Sequence, residues 1–172
     1  MDLRATLKLA HFILSQNKIP HALIGGLALA CYGSTRATVD LDLLVREEDK
    51  ERLKTLFHQN GFNLINESDE VLQFSGMGYV DILLARRPIS QRILQEAGEG
   101  GLEGIPLVKV EDLIGLKIQA YKNDKSRTLQ DKADIQFLIE NVKNLDWKKI
   151  QEYANLFDEW EAICEIKNQI NS

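Results

Sequence analysis

The eight residues from Thr38 to Val45, Thr-Val-Asp-Leu-Asp-Leu-Leu-Val, constrain this chain more than any other stretch. Val39, Leu41 and Leu43 alternate with Thr38, Asp40 and Asp42, and a period of two sends successive side chains to opposite faces of a β-strand. The predicted strand thus has one apolar face, which needs a core, and one face on which two carboxylates stand side by side. Like charges so close raise a pKa or weaken the strand unless a cation lies between them, and hard oxygen donors suit magnesium or manganese. Taken alone, an Asp-x-Asp also reads as an exposed strand decorated with acids.

The flanking sequence supplies partners for that strand. Leu3, Leu7, Ala10 and Leu14 recur at helical spacing between Asp2 and Gln16, and Asn17-Lys18-Ile19-Pro20 ends the pattern. His21 to Ile24 reads as a short strand, Gly25-Gly26 as a turn, and Leu27 to Tyr32 as a short helix closed by Gly33. A helix over Glu47–Asn60 buries Leu53, Leu56 and Phe57, with Gly61 as its terminator. Residues 62–65, 71–74 and 79–85 read as strands, the last two joined through Gly76-Met77-Gly78 as a hairpin. Asp81 falls inside the last of them. Residues 86–104 combine a short helix around Ile93 and Leu94 with a glycine-rich loop, and 105–108 reads as a small edge strand. Helices are then predicted over 111–122, 128–142 and 147–170. The fold class is α+β: a small mixed β-sheet flanked by helices, with a helical C-terminal part. Residues 1–108 form the core and 109–172 the helical part, as one domain or two.

Composition excludes several classes. At 172 residues, 44% hydrophobic and 27% charged, the chain has the make-up of a soluble globular protein. No stretch reaches the roughly 18 apolar residues of a membrane span, and the N-terminus lacks a signal-peptide core, so a cytoplasmic location is expected. Cys31 and Cys164 lack the spacing of a zinc site or a disulfide framework. His11, His21 and His58 show no spacing for a triad or a zinc site. A net charge of −5 opposes broad adhesion to nucleic acid, while Arg86, Arg87, Lys109, Lys122, Lys125 and Arg127 could still form a local basic rim.

Gly25-Gly26, a short helix, and then Asp40-Leu41-Asp42-Leu43 resemble the signature of the DNA polymerase beta nucleotidyltransferase superfamily. Asp81, in Tyr79-Val80-Asp81-Ile82-Leu83, looks like the third carboxylate that this family draws from a neighbouring strand. The resemblance implies Mg2+ or Mn2+ held by Asp40, Asp42 and Asp81. It also implies a nucleoside triphosphate cradled by Gly25, Gly26 and the helix after them, with Arg36 and Thr38 close by. Further on, the chain is similar to the abortive-infection toxin nucleotidyltransferases. That similarity rests on Lys117 within an apolar helical stripe and on Arg127, Asp131 and Asp134 at the start of the next helix. Gln130 stands where the toxins carry a lysine.

On this resemblance Lys117 joins the three acids in catalysis, and Arg127, Asp131 and Asp134 join the nucleotide-binding set. From the residues themselves, Lys117 also reads as a snorkelling side chain. Asp131 reads as a first-turn acid facing the helix dipole, with Thr128 as cap, and Asp134 as a group able to orient Lys117 or Arg127. The implied reaction moves a nucleoside monophosphate from the triphosphate to an acceptor hydroxyl or phosphate. Candidate acceptors are RNA, tRNA above all, a protein or a small molecule, and an antitoxin protein is a further expected partner. Two rivals are a catalytically inactive nucleotide-binding or regulatory module of the same fold, and a structural interaction protein that binds no metal.

Overall fold

The computed structural model of the chain describes residues 2–170. It divides into two units, Met1–Cys31 with Thr35–Val108, and Tyr32–Ser34 with Lys109–Ser172.

The first unit opens with helix α1 (Leu3–Gln16), whose first turn is capped by Asp2, the carboxylate accepting from the Arg4 N–H at 2.9 Å. Strand β1 (His21–Leu23) follows, then helix α2 (Gly25–Cys31), strand β2 (Asp40–Arg46) and helix α3 (Lys50–Gln59). Strands β3 (Asn63–Glu67), β4 (Val71–Ser75) and β5 (Tyr79–Ala85) lead to helix α4 (Pro88–Glu96). The five strands form one sheet in the order β1-β2-β5-β4-β3. Only β2 and β5 are parallel, and the α3–β3–β4 segment makes the crossover between them. One sheet face carries the core residues Leu41, Leu43, Leu72, Phe74, Val80 and Ile82, all essentially inaccessible. Phe57 of α3 drops onto this face, its ring 4.8 Å from Phe74 and 5.1 Å from Phe62.

The second unit consists of α5 (Val110–Asn123), α6 (Thr128–Asn141), α7 (Trp147–Leu156) and α8 (Trp160–Ile170). Its interior is built from Leu113, Ile118, Ile135, Leu138, Ile150 and Ile163. Gly115 is the close-contact point of α5 with α7, since a Cβ there would lie 2.6 Å from the Tyr153 ring. Among the described residues no helix is long and apolar enough to cross a membrane. Cys31 and Cys164 are free and half-buried.

The α+β architecture agrees with the sequence reading, and several boundaries need correction. The short helix begins at Gly25 rather than Leu27, so the glycine pair is its first turn and not a turn before it. The acidic strand starts at Asp40: Val39 is 72% exposed, and Thr38 lies outside the sheet. Residues 105–108 make no strand, only isolated bridges from Leu107 to Leu23 and Gly98. Thr128 does not cap the helix that carries Asp131: Arg127 holds the cap position, and the Thr128 hydroxyl donates to the Lys125 carbonyl at 2.8 Å. The long final helix is broken where Asp158 turns left-handed (φ 55°) and the Phe157 and Glu159 N–H groups both fold back to the Ala154 carbonyl. Periodicity alone missed that break, since the apolar stripe resumes in nearly the same phase after it.

Candidate active site

β2 runs antiparallel to β1 and parallel to β5, and this pairing brings the sequence-predicted acids together. Asp40 and Asp42, two apart on one strand, share a face. In the parallel register Asp42 stands opposite Asp81 and Asp40 opposite Tyr79, with strands about 4.8 Å apart. All three carboxylates are half-buried, whereas their neighbours Leu41, Leu43, Val80 and Ile82 are fully buried on the other face.

The glycine pair explains how α2 can lie so near this row. Gly25 adopts φ 64°, and a Cβ on it would overlap the Asp42 carboxylate. A Cβ on Gly26 would lie 2.7 Å from the Thr38 hydroxyl oxygen. The backbone is tied down as well: the Ile24 N–H donates to the Asp42 carbonyl at 3.1 Å, and the Gly26 N–H reaches the Asp42 carboxylate at 3.4 Å. The first turn of α2 thus orients Asp42 with its N–H and its positive dipole end. Thr38 is half-buried against Gly26, and Arg36 is exposed in the irregular segment before β2.

Across the sheet, Gln73 of β4 faces Asp81, and its Nε2–H donates to the carboxylate at 3.0 Å. Gln73 escaped the sequence reading. The signal was present, since folding the hairpin about Met77 places Gln73 and Asp81 opposite one another. Among the described residues no three His, Cys, Asp or Glu side chains already converge as a metal cage. The fit to a divalent cation rests on donor chemistry: three half-buried carboxylates at neighbouring strand positions form an all-oxygen set of the kind Mg2+ and Mn2+ take.

The other predicted residues belong to the second unit. Lys117 is 5% exposed rather than snorkelling, and its ammonium donates to Asp134 at 2.5 Å and Asp131 at 3.2 Å. The Arg127 guanidinium donates to the other Asp131 oxygen at 3.1 Å. Asp131 is therefore a buried ion-pair partner of two cations, and Asp134 orients Lys117. A second buried group went unread: Asp112, fully buried, accepts from the Tyr153 hydroxyl and lies 2.7 Å from the Lys149 ammonium. The Tyr121 hydroxyl is pushed well above its ordinary pKa by burial and by its hydrogen bond to Glu159.

The basic rim is largely matched by acids. Arg86 pairs with Glu47 at 2.8 Å, Arg87 with Glu70 at 2.8 Å and Lys122 with Glu159 at 2.9 Å. The histidines also hold a surprise, because His11 and His21 meet, Nδ1 to Nε2, at 2.8 Å. His21 Nδ1–H donates to the Ile19 carbonyl, so its Nε2 is the acceptor and His11 the donor. Burial holds the His21 pKa below its ordinary value, and His11 lowers it further against the opposing pull of that carbonyl.

No protein-family model matches the chain. No curated protein matches it either. Among solved structures, the solution structure of the antibiotic-resistance factor ANT(2'')-Ia superposes with a TM-score of 0.71 at 17% identity, covering 97% of this chain and 96% of that one. A crystal structure of ANT(2'')-Ia in complex with adenylyl-2''-tobramycin gives a TM-score of 0.59 at 17% identity, over 99% and 98% of the two chains. An antigenic nucleotidyltransferase-like protein from Paracoccidioides brasiliensis gives 0.59 at 18% identity, over 95% and 91%. Identities this low speak to architecture, and on that ground the chain has the nucleotidyltransferase fold.

Proposed function

We propose that the chain is a nucleotidyltransferase that moves a nucleoside monophosphate from a nucleoside triphosphate to a hydroxyl of a small acceptor molecule. The observation that carries this reading is the row of Asp40, Asp42 and Asp81 on one sheet face beside the glycine-built first turn of α2. Such a row, left to itself, is electrostatically costly, and a cation-dependent reaction gives it a use.

In this reading Asp40, Asp42 and Asp81 hold Mg2+ or Mn2+, which when bound lowers the acceptor's pKa and neutralises charge on the leaving pyrophosphate. Asp42 is aligned by the Gly26 N–H, and Asp81 by the Gln73 amide, so both carboxylates are set before substrate arrives. Gly25 and Gly26 keep side-chain bulk away from Asp42 and Thr38, so the backbone at the start of α2 can approach the phosphates in this reading. Thr38 and Arg36, at the approach to β2, supply a hydroxyl and a positive charge to the phosphates. Lys117, Asp131, Asp134 and Arg127 form a buried ion-pair cluster within the helical unit, and this reading gives them no part in the transfer step.

Two features favour a small acceptor over RNA. The net charge is −5, and Arg86, Arg87 and Lys122 of the basic rim are engaged by acids, which removes much of the counterion-releasing surface RNA binding uses. The tobramycin adduct of ANT(2'')-Ia is an example of this fold bound to a modified small molecule. A tRNA acceptor and an antitoxin partner, both implied by the toxin resemblance, are the readings this proposal competes with.

The test is incubation of purified protein with each α-labelled nucleoside triphosphate, Mg2+ or Mn2+, and separate pools of aminoglycosides, other hydroxylated small molecules, total RNA and protein. Label should move to a small molecule with the native protein, and fall by about 10³-fold, some 4 kcal/mol of barrier, in Asp42→Ala and Asp81→Ala. Label on RNA would overturn the acceptor assignment. Nucleotide binding without transfer to any pool would identify an inactive module instead.

A further inference from the structure

The acid row does not end at Asp81. It continues across the sheet through Gln73 of β4 to Asn66 of β3, each directly opposite the next. The Asn66 Nδ2–H donates to Gln73 Oε1 at 2.9 Å, and the Gln73 Nε2–H donates to Asp81 at 3.0 Å. The direction of this relay is chemically forced. An ionised carboxylate only accepts, so Gln73 must turn its nitrogen to Asp81 and its oxygen outward, and an oxygen there needs a donor such as the Asn66 amide. The backbone is bent to supply that donor. Asn63 and Leu64 pair regularly with Ser75 and Phe74, and an unbroken register would then set Ile65 opposite Gln73. A bulge between Leu64 and Asn66 skips Ile65, leaves it 58% exposed, and delivers Asn66 to the row. Bulges are a recognised means of re-aiming one side chain.

We propose that Asn66 and Gln73 are positioning residues, a two-amide relay that locks the Asp81 carboxylate in the orientation in which it binds a divalent cation. This rests on the metal-binding reading of Asp40, Asp42 and Asp81. Neither amide touches substrate. Asn66 fixes which end of Gln73 faces inward, and Gln73 removes the rotational freedom of Asp81. Partners that orient a ligand from behind commonly change metal affinity by about 10- to 100-fold.

The experiment is Mn2+ binding to the nucleotide-free protein, followed by electron paramagnetic resonance, in the native chain and in Asp81→Asn, Gln73→Leu and Asn66→Asp. Asn66→Asp is the discriminating variant. It is nearly isosteric at an exposed position two strands from Asp81, and charge alone would draw the cation closer. The relay predicts the opposite sign. An aspartate at 66 can only accept, so the Gln73 amide flips and presents its oxygen to Asp81, and Mn2+ affinity drops about tenfold. Gln73→Leu should weaken it to a similar extent, and the metal concentration for half-maximal nucleotide transfer should rise in parallel. Weakening in Asp81→Asn, Gln73→Leu and Asn66→Asp alike supports the relay. Weakening in Asp81→Asn alone, or tighter binding in Asn66→Asp, overturns the relay and leaves the metal reading standing. Binding insensitive to Asp81→Asn overturns the metal reading and the relay with it.

Discussion

Each unit gathers aspartates, and the two treat them differently. In the helical unit Asp131 and Asp134 are 1% and 4% exposed and are met by Lys117 and Arg127, so charge is balanced inside the protein. In the sheet unit Asp40, Asp42 and Asp81 are half-buried, and amide N–H groups from Gly26 and Gln73 align two of them. Amide donors orient a carboxylate without cancelling its charge. The first cluster thus has the character of a structural staple, and on the proposed function the second is a receptor for a cation from solution. Burial depth separates the two clusters, where the residue letters alone do not.

The sharpest way to break this comparison is Lys117→Met. If the helical cluster is a staple, two carboxylates are left buried beside a thioether, and the cost is about 3–5 kcal/mol. Denaturant unfolding should show that loss, and Lys117→Met with both Asp131→Asn and Asp134→Asn should recover most of it. A Lys117→Met protein of native stability that no longer transfers nucleotide would overturn the staple and give Lys117 a functional role.

A smaller contrast comes from two glycines. Gly25→Ala pushes a methyl into the Asp42 carboxylate at a left-handed φ, and Gly115→Ala pushes one into the Tyr153 ring. Both should cost about 1–3 kcal/mol by overpacking. Only Gly25→Ala should also abolish nucleotide transfer, because only there does the displaced group belong to the acid row. Equal activity in the two variants would remove Asp42 from the site.

The smallest effect is expected from the histidine pair. Because the folded pKa of His21 is lowered, the unfolded chain takes up a proton first as pH falls. The neutral ring's stabilisation is therefore complete above about pH 6.5, is lost progressively below it, and levels off once the folded form protonates too. Protonation also sets two N–H groups against each other across the 2.8 Å contact with His11. Thermal melts should show Tm falling below pH 6.5 by roughly 2–4 °C per kcal/mol lost, and His21→Leu should flatten the slope. A native chain with no such slope would mean the pair is solvated.

What could be read beforehand followed the range of the interaction. Asp40, Asp42 and the glycine pair lie in one short stretch, and period-two alternation sets the shared face of the two acids. The α+β architecture was legible from the order of strand-like and helical patterns, and the alternating run put Asp81 inside a strand, while its reading as a third acid came from the family resemblance. The contacts that need a third dimension were not. Spacing linked neither His11 to His21 nor Asp112 to Tyr153, because each pair is assembled by packing between elements. Val39 was assigned to the strand because its apolar phase is right, yet pairing begins only at Asp40, where β5 supplies Tyr79 as partner. The bulge at Ile65 had no Gly or Pro to announce it.

β3 closes the sheet on one side, and every one of its five residues is exposed. Strands of this kind fray first, opening at a fraction of the free energy that unfolds the whole protein. If Asn66 governs Asp81 from such a strand, the order of the site follows the least protected backbone amides of the sheet rather than its core. Hydrogen exchange along β3 and loss of metal affinity should then rise together on warming, well before global melting, giving the protein a working-temperature ceiling lower than its melting point.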